Sequence, residues 1–166
     1  MDYLKYYDLE KYLFEEVSSN FTEKAELSVG DFFCIVIWKA NRSKSKIKKK
    51  LLAFGKLELV IKNLSFDISR TQNEELRLNL LIKKWGFGLP MATAILTVLY
   101  PEVFTVYDYR VREQLNLKKI YSSKKYFNYF LPAVLKYKKG NNFSLRDCDK
   151  TLWGKSFYED LLKFIQ

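Results

Sequence analysis

Apolar residues recur along almost the whole chain at spacings of three and four, and that period confines it to helices. Leu9, Leu13 and Val17 stand at i, i+4 and i+8 inside a helix expected over Asp2 to Val17. One run, Phe32-Phe33-Cys34-Ile35-Val36-Ile37-Trp38, is dense enough to pass for a buried strand. No second strand candidate of similar quality follows it, and Ser28 can cap a helix leading into it. The expected fold class is all-α.

Further along, Lys39, Arg42, Lys44, Lys46, Lys48, Lys49 and Lys50 cross a loop and enter a helix through Phe54. Leu57 to Phe66 stays open between helix and extended chain. Thr71-Gln72-Asn73-Glu74 reads as a capping box, opening a helix that buries Leu78, Leu81, Ile82 and Trp85. Gly86 and Gly88 end that helix, one of them at positive φ. Pro90 then suits the first turn of the next, where its missing N–H costs nothing. That next helix places Met91, Ala94, Ile95, Val98 and Leu99 on one face, with Ala92, Thr93 and Ala94 small enough for close packing. Asp108 fits an N-cap for Tyr109 to Leu115. A helix from about Ser123 to Lys139 is expected to bend near Pro132. Ser144-Leu145-Arg146-Asp147 opens a last helical segment, interrupted around Gly154. Without a repeat, linker or low-complexity tail, residues 1–166 read as one domain.

Composition excludes much chemistry. The chain has no histidine, which removes the usual catalytic base, the serine triads and the common zinc sites. Acid–base work must rest on Asp, Glu, Lys or Tyr. Two cysteines, Cys34 and Cys148, cannot build a four-cysteine cluster, and Cys34 reads as a small core residue. The longest apolar run is far short of a membrane span, and the charged, amphipathic N-terminus does not read as a cleavable signal, so a cytoplasmic protein is expected. Lys and Arg total 29 against 19 acids, a net charge of +10 that favours a polyanionic partner, nucleic acid first.

The chemistry concentrates in Trp85-Gly86-Phe87-Gly88-Leu89-Pro90 and in Thr105-Val106-Tyr107-Asp108-Tyr109-Arg110. A glycine turn at the positive end of a helix can offer amide N–H groups to a phosphate. Gly86, Phe87 and Gly88 form that turn, with Met91 and Ala92 as amide donors beyond Pro90; Lys83 and Lys84 can add charge. About twenty residues on, Asp108 supplies one carboxylate, in which a plain N-cap role competes with a catalytic one.

Together these strings resemble the helix-hairpin-helix, Gly/Pro-rich loop, Asp signature of the DNA glycosylase (HhH-GPD) superfamily. The hairpin falls at about 72–99, and the acid-bearing loop and helix at about 100–115. Three further strings, Trp38 to Arg42, Val106 to Arg110 and Leu145 to Trp153, look like those of small, poorly characterised members. The resemblance implies a two-lobed all-α fold whose cleft receives a nucleotide flipped out of duplex DNA. Asp108 then falls at the catalytic aspartate, stabilising the positive charge that develops on the sugar as the base leaves. It also implies that Lys39 and Arg42 line the cleft or bind phosphate, against a plain role at a solvated helix end. Trp153 reads as core. Where bifunctional members carry the Schiff-base lysine, this chain has Pro90, so the implied enzyme is monofunctional and leaves an abasic site. The family's cysteine cluster is missing, and neither an iron–sulfur cluster nor zinc is expected as a cofactor. Two other readings compete: a non-catalytic helix-hairpin-helix DNA-binding protein, and a basic helical protein-interaction domain. The base, a repair or defence role, and the oligomeric state stay open.

Overall fold

The computed structural model describes residues 3–166, and among them there is no strand. Asp8 opens α1 (Leu9–Tyr12) by accepting the Lys11 amide at 3.0 Å. The chain does not stop there: it widens into a π turn, Leu13–Val17, and continues as α2 (Ser18–Lys24). The N-terminal helix thus reaches beyond the expected Val17, and Met1 and Asp2 lie outside the described residues. A capping box between Ser28 and Asp31 starts α3 (Val29–Ala40). Its apolar run is therefore helix, burying Phe32, Ile35 and Val36 at i, i+3, i+4 while Ile37 faces out.

After a 3₁₀ turn, Asn41–Ser43, comes α4 (Lys44–Leu52), which buries only Ile47 and Leu51 and leaves its lysines in water. The stretch left open by the sequence is α5 (Leu57–Arg70), with Val60, Ile61, Leu64 and Ile68 in the core. The start of α6 (Glu74–Lys83) corrects the expected capping box. Asn73 is the cap, accepting the Leu76 amide at 2.9 Å, whereas the Thr71 hydroxyl donates back to the Asp67 carbonyl and ends α5.

The next helix, α7 (Leu89–Leu99), was expected to have one apolar face. Every residue in it except Pro90 is instead buried, because α2, α3, α6 and the π turn all pack around it. A short α8 (Tyr109–Gln114) follows, then α9 (Ser123–Lys125), a π turn at Tyr126–Phe130, and α10 (Leu131–Asn141). The irregularity expected near Pro132 takes the form of that π turn: the Leu131 amide reaches back to the Tyr126 carbonyl, and Pro132 has no N–H to restore the α register. The last helix, α11 (Leu145–Ile165), opens on a capping box of Ser144 and Asp147 and runs 21 residues. No interruption occurs at Gly154, where a Cβ would meet nothing within 4 Å. It packs along α8 and α10. No helix among the described residues is long and apolar enough to cross a membrane.

Candidate active site

Between α7 and α8 the chain is irregular and deeply buried, so its backbone groups need partners from elsewhere. Side chains supply them. The Tyr126 hydroxyl accepts from the Thr105 amide at 3.0 Å and donates to the Thr105 carbonyl at 2.8 Å. The Thr93 hydroxyl accepts from the Tyr107 amide at 2.9 Å. Asp149 accepts from the Thr105 hydroxyl at 3.1 Å and from the Val106 amide at 3.4 Å.

This bracing delivers Asp108 to the edge of a cleft. Its Oδ1 accepts the Arg110 amide at 3.0 Å, so it does cap α8. Its Oδ2 faces the Lys39 ammonium at 2.6 Å, and its side chain keeps 17% exposure. The capping and cleft roles therefore coexist in one carboxylate.

The cleft encloses about 470 Å³. α1 contributes Glu10, α3 contributes Trp38 and Lys39, and α11 contributes Arg146, Asp149, Lys150 and Trp153. Arg146 organises the floor. Its guanidinium lies 5.0 Å from the Trp38 ring centre and 5.3 Å from that of Phe14, and it pairs with both Glu10 (2.7 Å) and Asp149. Lys150 adds a second cation to Glu10 at 3.1 Å. Burial alone would raise the Glu10 carboxyl, but hydrogen bonds and charge from Arg146 and Lys150 outweigh it and hold it below its usual value. Asp149 behaves oppositely. Its burial pushes it up to about 6 even though Arg146, the Val106 amide and the Thr105 hydroxyl oppose the shift.

Trp153 corrects the expectation of a core residue. It is 43% exposed at the cleft edge, parallel to Phe157 with ring centres 5.5 Å apart. The Arg110 guanidinium sits 5.5 Å from the Trp153 ring and is anchored by Asp160 at 2.6 Å. Of the two basic candidates beside the cleft, Lys39 lines it, whereas Arg42 is exposed in the turn after α3 and is not part of its wall.

The α6–α7 turn is built as a backbone reversal. Gly86 adopts φ +65°, and its carbonyl accepts from the Lys50 ammonium. Phe87 is buried against Phe32, and its amide donates to the Leu81 carbonyl at 2.9 Å. Gly88 is exposed and caps α7. The amides of Met91 and Ala92, expected to meet phosphate, instead donate to the Gly88 carbonyl at 3.0 and 2.9 Å. They do so because the helix closes its first turn there. Among the described residues, the amides left without a partner in this turn are those of Gly86, Gly88 and Leu89. Lys83 is exposed, while Lys84 pairs with Asp67 at 2.6 Å.

No protein-family model matches this chain, and no curated protein or solved structure matches it significantly.

The site must therefore be read from its own geometry. Turn and acid share one surface: Pro90, Lys39 and Asp108 line a second cavity of about 270 Å³ beside the cleft. Sequence reasoning did not pick out Glu10, Asp149 or Lys150. The Leu145-to-Trp153 string carried a resemblance without naming what its polar residues touch, and nothing local to Glu10 marks it.

Proposed function

We propose that the protein is a monofunctional DNA N-glycosylase, which flips a damaged or modified base out of the duplex and hydrolyses its glycosidic bond. The observation that carries this reading is Asp108, partly exposed and held in place by the Arg110 amide and Lys39, at the edge of a cleft of about 470 Å³. Pockets for small organic ligands begin at roughly 300 Å³, so a nucleobase fits with room for water. Trp38 and Trp153 offer aromatic walls to an extruded base. A fixed carboxylate stabilises the oxocarbenium-like charge that grows on the sugar as the bond to the base lengthens. The net charge of +10 favours the DNA backbone.

Asp108→Asn separates the two roles of the acid, because Asn caps a helix about as well as Asp but carries no charge. Abasic-site release is measured on duplexes bearing different lesions and modified bases. The expected result is release by wild type and a loss of about 10²-fold or more in the variant, with DNA binding kept. Strand breaks are expected only after alkali, since Pro90 stands where a Schiff-base lysine would. Breaks without alkali, trapped by borohydride at Lys39, would reassign the chemistry to that amine.

The non-catalytic DNA-binding reading draws on the same contact, because a carboxylate already paired with Lys39 and engaged as a cap also serves a purely structural end. Salt-sensitive binding with no release from any duplex would favour it.

A further inference from the structure

The cleft does not end at Asp108. Lys39 and Asp108 line both the cleft and the 270 Å³ cavity beside it, and Tyr107 and Lys119 line both that cavity and a third of about 430 Å³. Sharing walls in this way, the three adjoin in a row, a trench in which Asp108 belongs to the first two parts.

The chemistry of the trench changes along its length. On the Glu10 side each cation in the wall has a carboxylate partner. Past Asp108 the lining cations are Arg112, Lys118, Lys119 and Lys125, and no other carboxylate lines that stretch. Arg112 pairs with Glu113 through one nitrogen, while its Nε is buried without a partner. Apart from Asn116, the rest of the far cavity's lining is apolar and aromatic: Tyr107 and Phe130 are buried beneath it, and Tyr129 is 59% exposed at its rim.

This end is held in place. Asn116 turns the chain at φ +53°, the Leu117 amide returns to the Arg112 carbonyl at 3.1 Å, and the Ile120 amide donates to the Tyr107 hydroxyl at 3.0 Å. Because Tyr107 precedes Asp108 in the chain, the lysine-bearing loop is fixed to the acid-bearing segment. A rigid recess with cations at its rim and an aromatic interior suits a ligand that is part anion and part flat ring.

We infer that the far cavity is a second nucleotide subsite, taking an unstacked neighbour of the nucleotide at Asp108. Lys118, Lys119 and Lys125 receive its phosphate and Tyr129 stacks on its base. This inference rests on the nucleic-acid reading of the cleft, and base release is not needed for it.

The probe is a single-stranded 15-mer with a central tetrahydrofuran abasic analogue flanked on one side by 5-iodouracil. Wild type is expected to photocrosslink at Tyr129. The Lys118→Ala/Lys119→Ala/Lys125→Ala variant should flatten the slope of log affinity against log salt by about 0.7, the value for one phosphate contact on a single strand. A control losing the same charge, Lys62→Ala/Lys155→Ala/Lys163→Ala, alters exposed lysines outside the trench and should leave the slope nearly unchanged. Equal effects of the two triple variants, or crosslinks confined to other residues while binding persists, would overturn the subsite and leave the glycosylase reading standing. Equal competition by poly-glutamate would reassign the recess to an acidic peptide. If wild type binds neither this strand nor the matching duplex in a salt-dependent way, both readings fall.

Discussion

Asp149 is buried at 3% exposure, yet it touches the cleft, Arg146 and the segment that carries Asp108. Its folded-state pKa, about 6, lies above the usual 3.8. Between those values the folded protein holds a proton that the unfolded chain has released, so this residue's contribution to stability falls as pH rises from about 4 to about 6. Asp149→Asn carries no such proton. The stability of wild type relative to this variant should therefore decline across that range by about 2–3 kcal/mol, at 1.36 kcal/mol per pKa unit. Urea midpoints between pH 4.5 and 7.5 test this, and a pH-independent difference would refute it. Glu10 acts in the other direction. Its lowered pKa contributes stability above its ordinary value, and that contribution is lost only on further acidification. The two acids can thus be told apart by the pH at which each acts.

The α6–α7 turn shows how one element depends on one backbone conformation. Gly86 has φ +65°, and an added Cβ there would also meet the end of the Lys50 side chain. A flexible lysine can move aside, so the backbone term dominates. Gly86→Ala is expected to lose about 1–2 kcal/mol, read as a lowered urea midpoint at unchanged slope. This turn was legible in the sequence because the constraints of Gly86 and Pro90 act within a few residues. Other boundaries were not. Thr71 and Asn73 can both cap a helix, and which one does so is decided by where α5 ends, with only three residues between it and α6. Gly154 costs a helix about 1 kcal/mol relative to alanine, a local penalty that the Ser144–Asp147 capping box and packing on α8 and α10 overcome.

At the scale of the whole molecule, α7 is the axis around which α2, α3, α6 and the π turn at Leu13–Val17 close. Leu96 is fully buried within it, among packed neighbours that can only partly collapse into a void. Leu96→Ala should cost about 2–5 kcal/mol. For a chain of this size that lowers the melting temperature by roughly 4–20 °C, measurable by calorimetry. The helical architecture could be read from periodicity, whereas the cleft floor could not, since it joins Glu10 to Arg146, 136 residues away. Asp108 was visible through its place after a glycine turn, and Lys39 through the string around it. Their pairing across 69 residues was not. The bonds that hold the acid-bearing segment span 14, 21 and 44 residues, whereas a helix closes its rings over four. Helix content and the placement of the acid are thus set by bonds of different range. A circular dichroism spectrum rich in helix therefore reports the short-range rings and says nothing about whether the site has been built.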